Sequence, residues 1–453
     1  MWTDLPIQVT EALERLNSHG HQGFLVGGCV RDILRGVKPV DYDLTTSATP
    51  EEVKKLFSDK NVVETGIRHG TVTVFSHHLP LEITTFRTES TYSDGRHPDG
   101  VTFASTLEED LSRRDFTVCA MAWSPTTGPV DLFGGREDLQ NGIIRCVGEP
   151  ARRFEEDALR ILRGARFASA LDFTVEEATK TAMLEGIPLL AHISMERISS
   201  EFLKLLCGKG AKRILSEYRE LIAFFLPEIR PAFGFDQQSP HHLYDVYTHT
   251  LQVVENMPPD PMLRLAAFFH DLGKPQTADG GRFPGHPAVS AQMAETAMHR
   301  LRMEKKLIRP VTALIREHDT LLRKWDNPRV LRLLSRITPE LALPLLTLME
   351  GDAAAKANPE AYLTAAKERR AALEAVLESN PCLSVSRLAI GGKELLESGI
   401  PPGEAVGKTL QLLLEGVFDG KWQNTPEDLL SAVKKTAHSV LKPLTRAEIC
   451  GIL

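Results

Sequence analysis

Cysteine is scarce in this chain. Its six cysteines, at 29, 119, 146, 207, 382 and 450 of 453 residues, are scattered and form no C-x-x-C pair. That spacing argues against a disulfide framework and favours reduced thiols, so a cytoplasmic setting is expected. No apolar run is long enough to span a bilayer and no signal-peptide pattern opens the sequence, so no membrane partner is expected. Excess positive charge is also missing: the formal net charge is −7. A chain of this balance does not advertise nucleic-acid binding, yet a local basic face is all that gripping RNA requires. Neither a short internal repeat nor a low-complexity tract is evident. What remains is a globular composition, 42% hydrophobic and 25% charged, long enough for several compact units.

The most informative stretch runs from Gly23 to Leu44. Phe24-Leu25-Val26 is a short apolar run, Gly27-Gly28 a glycine turn, Val30-Arg31-Asp32 part of a short helix ended by Gly36 and Pro39, and Asp41-Tyr42-Asp43 the start of a second strand. The paired glycines carry no Cβ, so backbone there can approach a ligand closely. Arg31 sits one turn into the helix and can point back at the same ligand. Asp41 and Asp43 alternate, which puts both carboxylates on one face of a strand. Two oxygen ligands on one face suit Mg²⁺, which shares its coordination shell with phosphates. Taken singly, a D-x-D is common on exposed strands and a G-G is usually a turn; the order and spacing of the whole set are what point to a phosphate cradle with a metal clamp.

Around this stretch, residues 5–19 have helical apolar spacing, and Thr49-Pro50-Glu51-Glu52 is a helix start. Alternating runs near 61–65, 71–76 and 81–86 read as strands of one small sheet. Glu82 lies in the last and could add a third carboxylate; a solvated strand glutamate fits those residues equally. Residues 87–112 are polar and turn-rich and read as a mobile loop. In Arg113-Arg114-Asp115 two guanidiniums can neutralise a triphosphate and the carboxylate can accept from a ribose hydroxyl. Further on, Arg153 to Phe167 reads as one helix with Asp157 and Arg160 as neighbours and Arg163 and Arg166 continuing the same side. Cytosine and adenine each present an amino donor beside a ring-nitrogen acceptor, whereas uracil and guanine present a carbonyl beside a ring N–H. A carboxylate next to a guanidinium complements the first pair and clashes with the second.

The order G-G, R-D, D-x-D resembles the first motif of the class II tRNA nucleotidyltransferase and poly(A) polymerase family, within the DNA polymerase beta superfamily. Arg113-Arg114-Asp115-Phe116-Thr117-Val118-Cys119-Ala120-Met121 resembles its second, with Cys119 where the family usually has asparagine. Asp131-Leu132-Phe133-Gly134-Gly135 is similar to the hinge-like third, Glu156-Asp157 with Arg160 to the base-reading fourth, and Glu196 to Leu206 to the bracing fifth. The resemblance implies an α+β chain: a small amino-terminal nucleotidyltransferase sheet, then all-helical neck, body and tail. It implies addition of C, C and A to the tRNA 3′ end from CTP and ATP, with no DNA partner. It casts Asp41 and Asp43 as catalytic Mg²⁺ ligands, Gly28, Arg31, Arg114 and Asp115 as nucleotide contacts, and Asp157, Arg160, Arg163 and Arg166 as the base-reading set. An A-adding enzyme or a bacterial poly(A) polymerase would share these motifs. The long 87–112 segment argues against a CC-only member, and the acidic tail argues against the polymerase.

A second constellation follows a Pro231–Pro240 linker: His249, His270-Asp271-Leu272-Gly273-Lys274, His286, His318 and Asp352. It resembles the HD phosphohydrolase superfamily. The resemblance implies one divalent metal of unknown identity on His249, His270, Asp271 and Asp352, with His286 and His318 available to a second. A hydrolase whose amino-terminal half only binds RNA is therefore the rival from another class. The expected domains are a head over 1–148, a neck over 149–230, an HD-like domain over 231–357 and a tRNA-binding tail over 358–453, where Lys393, Lys408 and Lys421 could meet phosphates.

Overall fold

The computed structural model describes Trp2 and residues 5–64, 66–89, 101–239, 242–320 and 325–440. The architecture is α+β, with every strand in the amino-terminal part. Two compact units are present: Met1–Arg230 with Pro258–Pro261 and Ala297–Met303, and Pro231–Met257 with Met262–Thr296 and Glu304–Leu453.

In the first unit the elements run α1 (Ile7–Ser18), β1 (Gly23–Val26), α2 (Gly28–Leu34), β2 (Asp43–Thr46), α3 (Pro50–Leu56), β3 (Asn61–Val63), β4 (Thr71–Ser76), β5 (Leu79–Thr85), β6 (Arg87–Glu89), β7 (Val101–Phe103), α4 (Leu107–Ser112), β8 (Met121–Ser124), β9 (Gly128–Asp131), α5 (Gly135–Asn141) and β10 (Ile143–Ile144). Then come α6 (Pro150–Glu156), α7 (Leu159–Leu171), β11 (Thr174–Val175), α8 (Glu177–Glu185), α9 (Met195–Leu206), α10 (Ala211–Glu217) and α11 (Arg219–Phe225). Seven strands form one sheet in the order β3-β4-β5-β2-β1-β8-β9. Within it β2 and β5 pair in parallel, with Asp43 opposite Glu82; the other neighbours are antiparallel. Alternation on β4 and β5 buries Val72, Val74, Leu81 and Ile83 against Leu13, Leu16, Leu25 and Leu44. Each such side chain contributes about 1.5–3 kcal/mol by leaving water. Helix α3 starts as its sequence dictates: Thr49 Oγ1 accepts from Glu52 N and Glu52 Oε2 from Thr49 N.

Three expectations need correction. Asp41 is not in a strand; β2 begins at Asp43, and Asp41 sits in the bend before it because Tyr42 between them is buried as an anchor. Residues 87–112 are not loop throughout. Their ends form the antiparallel β6–β7 ribbon, and a Thr106–Glu109 capping box starts α4; residues 90–100 lie outside the described residues. Finally, 153–167 is two helices. Asp157 adopts an extended conformation (φ −144°, ψ 103°), and its Oδ1 accepts from Leu159 N. A carboxylate free to cap the next helix ends the previous one.

The remaining helices are α12 (Val246–Asn256), α13 (Pro261–Phe269), α14 (His286–Arg300), α15 (Lys305–Glu317), α16 (Asn327–Ile337), α17 (Ala342–Ala354), α18 (Pro359–Glu378), α19 (Gly392–Glu397), α20 (Glu404–Phe418) and α21 (Pro426–Val440). Leu395, Leu413, Leu414, Phe418 and Leu429 form a separate small core among α19, α20 and α21. No described helix is long and apolar enough to cross a membrane.

The turn into α5 is tightly fitted. Asp131 accepts from Gly135 N (2.8 Å) and Arg136 N (2.9 Å), and a Cβ on Gly135 would lie 2.3 Å from Thr117 O. Gly135→Ala is expected to destabilise the chain by about 1–3 kcal/mol through overpacking against backbone, read as a lowered midpoint in urea; an unchanged midpoint would contradict this packing.

Candidate functional site

The Gly27–Gly28 turn lies beside the guanidiniums of Arg31 and Arg114 in the first unit. Gly27 has φ +78°, and the position of a Cβ there would lie 3.0 Å from Arg114 Nη1; at Gly28 it would lie 3.6 Å from Arg31 Nη2. Two guanidiniums therefore flank one bare stretch of backbone, as a phosphate site needs. Arg31 is held by its own neighbour: Nε and Nη2 each donate to Asp32 at 2.9 Å. Its Nη1 meets Cys119 Sγ at 3.5 Å.

Beside the turn stand the carboxylates. Burial, then the charges of Asp41 and Glu82, push the Asp43 carboxyl up to about 6, against the pull of Arg114. Acids placed so that burial and neighbouring negative charge make ionising Asp43 costly are a fitting donor set for a hard divalent cation. Glu82, ambiguous in the sequence, takes its place here through strand register.

A cavity of about 240 Å³ is lined by Arg113, Arg114, Asp115, Asp157, Leu159, Arg160, Arg163 and Arg197. Its charges are paired in a way the sequence did not reveal. Asp157 and Arg160 share the wall. Asp157 Oδ2 accepts from Arg197 (3.0 Å). Arg160 donates to Glu156 Oε2 (2.8 Å), Arg153 O (3.2 Å) and Arg113 O (3.1 Å). Asp115 Oδ2 accepts from Arg163 Nε at 2.7 Å. Burial alone would push the Asp115 carboxyl up, but the Arg163 and Arg160 charges hold it below its usual range. Arg166 does not line this cavity; its Nε lies 2.6 Å from Glu201 Oε2.

Sequence reasoning missed Asp110, Arg197 and Glu201. Asp110 is fully buried and joins Arg113 (2.8 Å) and Arg114 (3.4 Å) from one turn below. Its i,i+3 and i,i+4 spacing to those arginines was the available signal. Arg197 and Glu201, four apart on α9, reach Asp157 and Arg166 from one helix face.

The second unit gathers the other expected residues. His249 Nε2 lies 2.9 Å from Asp352 Oδ1 and 3.5 Å from Asp271 Oδ2; His270 Nε2 lies 3.2 Å from Asp271 Oδ2. His286 and His318 face Asp271 Oδ1 at 3.3 and 3.6 Å. The Nδ1 atoms of His270, His286 and His318 each meet a carbonyl, at Ala267, Phe283 and Ile315. Each must therefore donate there, which in the neutral ring leaves Nε2 bare and aimed at a carboxylate. Lone pair facing lone pair calls for a cation, and a backbone-anchored histidine is how metal ligands are oriented. His249, His270 and Asp352, and likewise His270, Asp271 and His318, bring ligand atoms within 4.8 Å of one another. Lys274 and Lys356, unremarked as partners in the sequence, sit 2.7 Å from Asp271 and 2.9 Å from Asp352. Burial would raise both carboxyls, but the positive charge of Lys274 beside Asp271 and of Lys356 beside Asp352 helps hold them well below the usual range.

Family models match three stretches: "Poly A polymerase head domain" at 23–145, "Probable RNA and SrmB- binding site of polymerase A" at 172–233 and "tRNA nucleotidyltransferase domain 2" at 288–433. The head and its helical continuation thus define a template-independent polymerase of the nucleotidyltransferase class. A CCA-adding enzyme of Lactobacillus delbrueckii subsp. bulgaricus is 33% identical over 432 residues, covering 93% of this chain and 96% of the relative. That of Enterococcus faecalis is 49% identical over 233 residues, spanning 50% of this chain and 57% of the relative. The crystal structure of the Bacillus stearothermophilus CCA-adding enzyme in complex with CTP matches with TM-score 0.71 at 29% identity, over 96% of this chain and 98% of that one. The chain belongs to the CCA-adding enzyme family.

A raised Asp43 pKa has a defined sign. The folded carboxyl, at about 6, lies above an unfolded value of about 3.9. Its contribution to stability is complete below about pH 4 and is lost as pH rises through about 6. Asp43→Asn should then stabilise metal-free protein by about 1–2 kcal/mol at pH 7.5, after discount for partial exposure, with the gain shrinking toward pH 4.5. Urea unfolding in chelator at both pH values checks this; equal gains at both would contradict the assignment.

Proposed function

We propose that this chain adds C, C and A to the 3′ end of tRNA from CTP and ATP without a nucleic-acid template. The carrying observation is the convergence, in one unit, of the Asp43–Glu82 pair, the Gly27–Gly28 turn between Arg31 and Arg114, and the Asp157–Arg160 cavity. The 3′-hydroxyl attacks the α-phosphorus and pyrophosphate leaves. Asp41 and Asp43, with Glu82 beside them, would hold a divalent cation, expected to be Mg²⁺. Such a cation supplies activation of the hydroxyl and stabilisation of the leaving charge. The chain's own groups do the rest. Gly28 lets the triphosphate approach, and Arg31 and Arg114 neutralise it. Asp115, tied to Arg163, keeps that guanidinium oriented at the cavity. Asp157 offers an acceptor and Arg160 a donor to the base edge, with Arg163 on the same wall; Arg166, outside that wall and tied to Glu201, supports them. The head (1–148), neck (149–230) and tail (358–453) division belongs to this reading.

A second centre is supported by the bare Nε2 atoms. His249, His270, Asp271 and Asp352 would hold one divalent metal within an HD-like region, 231–357, and His286 and His318 are poised beside it. A metal there supplies a nucleophilic hydroxide for phosphoester hydrolysis.

Purified protein given tRNAs ending in the discriminator base, in C and in C-C, with labelled CTP or ATP, should extend all three to C-C-A; incorporation of A alone would identify an A-adding enzyme. Asp41→Ala should reduce addition by at least about a thousandfold and leave metal content at the histidine cluster unchanged. Conversely, His270→Ala should weaken Mn²⁺ or Ni²⁺ affinity about a hundredfold or more in calorimetry, with nucleotide addition retained. Loss of both properties in either variant would refute the two-centre division.

A further inference from the structure

We propose that Phe167 is a positioning residue for the nucleotide site, its ring holding in register the guanidiniums that serve the phosphate side and those that serve the base side. This rests on the nucleotidyl-transfer reading above. Three arginines meet around this one ring. Arg166 Cζ lies 3.7 Å from the centroid, Arg31 5.4 Å and Arg163 5.5 Å. All fall inside the distance at which a cation is drawn to an aromatic quadrupole. Phe167 is buried, only 6% exposed, so those attractions act with little water between. The ring itself is fixed by Phe116, packed edge-on with centroids 5.8 Å apart at 75°.

The three arginines come from different parts of the site. Arg31 is on α2, beside the glycine turn. Arg163 lines the base-side cavity, and Arg166 is tied to α9 through Glu201. Each has its own carboxylate: Asp32, Asp115 and Glu201 respectively. Those ion pairs consume guanidinium edges and leave the flat faces unsatisfied, which is the part a ring can accept. Mutual repulsion of three close cations would otherwise spread them. The ring therefore gives α2 and α7 one shared reference point, and a shift of Arg31 is felt by Arg163.

The cysteine at 119 sharpens the dependence. Arg31 Nη1 has only a thiol at 3.5 Å on that side, and sulfur is a weak acceptor. Where the family pattern puts an amide oxygen, this chain leaves Arg31 leaning more on Phe167 and Asp32.

A shape-preserving series isolates the effect. Phe167 in the full chain is replaced by mono-, di- and trifluorophenylalanine, which drain the ring's negative face with little change in volume. Steady-state addition of CMP and AMP to tRNA is then measured with the melting temperature. The expected result is a stepwise rise in KM for both CTP and ATP, reaching about three- to tenfold at the trifluoro ring. kcat should stay within about twofold and the melting temperature within a few degrees. Phe167→Leu should match the trifluoro chain. Flat KM across the series in an active protein would overturn the proposal, as would a fall in kcat and melting temperature at constant KM. A natural chain that transfers no nucleotide overturns the nucleotidyl-transfer reading, and this one with it.

Discussion

The parallel pairing of β2 with β5 is the constraint on which the head depends. It sets Asp43, the first residue of the central strand β2, beside Glu82 in a sheet whose interior is Leu25, Leu44, Val72 and Ile83. A one-residue slip would turn Leu44, the one apolar side chain of β2, out of the core and separate the two acids. The hydrophobic core thus fixes where the charges stand, although the acids gain nothing from each other. Burial first, and then the like charges of Asp41 and Glu82, make ionising Asp43 costly, and its carboxyl is pushed up to about 6. A cation that relieves this cost binds more tightly than it would to the same acids on a loose strand.

The arginines obey a complementary rule. Asp110 serves Arg113 and Arg114, Asp115 serves Arg163, Asp157 serves Arg197, and Glu201 serves Arg166. A guanidinium has five donors and a carboxylate occupies at most two or three of them. Pairing therefore orients each arginine without exhausting it. This is how a chain of net charge −7 can present a largely basic wall: five arginines line the cavity against two acids, Asp115 and Asp157, with Asp110 buried behind Arg113 and Arg114. Such pairs contribute little net stability because desolvation offsets their attraction. Their consequence is geometric, the fixed direction of each guanidinium.

What the sequence disclosed follows from the range of the interactions involved. Thr49 with Glu52, the α1 apolar spacing and the strands around 71–76 and 81–86 are local patterns, and each appears where its pattern puts it. The family membership was legible too, because motif order survives where single motifs are common. The break at Asp157 was not. Aspartate is a weak helix former but is tolerated inside many helices, and its capping of Leu159 N competes with helix continuation by a margin that spacing does not reveal. Nor was the partner of Asp157 legible, since Arg197 arrives from α9, forty residues on. Lys274 and Lys356 were invisible as partners for a different reason. Both lie three or four residues after a metal-type acid, a spacing that on an exposed helix would mean a solvated ion pair.

The two centres cope differently with the absence of a cation, and the difference follows from their chemistry. In the head, Asp43 has two acids and one distant arginine for company, so a proton is what neutralises it when no metal is bound. In the second unit Asp271 and Asp352 stay ionised, because Lys274 and Lys356 supply ammonium groups at 2.7 and 2.9 Å. A metal held at the first site, as proposed above, would therefore compete with protons and gain as pH rises through about 6. At the second it competes with covalently tethered cations whose position, not their titration, sets the cost. Lys356 holds Oδ2 of Asp352 and leaves Oδ1 toward His249. Lys274 holds Oδ2 of Asp271, the oxygen that also faces His249 and His270, and leaves Oδ1 toward His286 and His318. A metal on the His249–His270 side would therefore share or displace the Lys274 contact, whereas in the head the charge to be relieved is that of neighbouring acids.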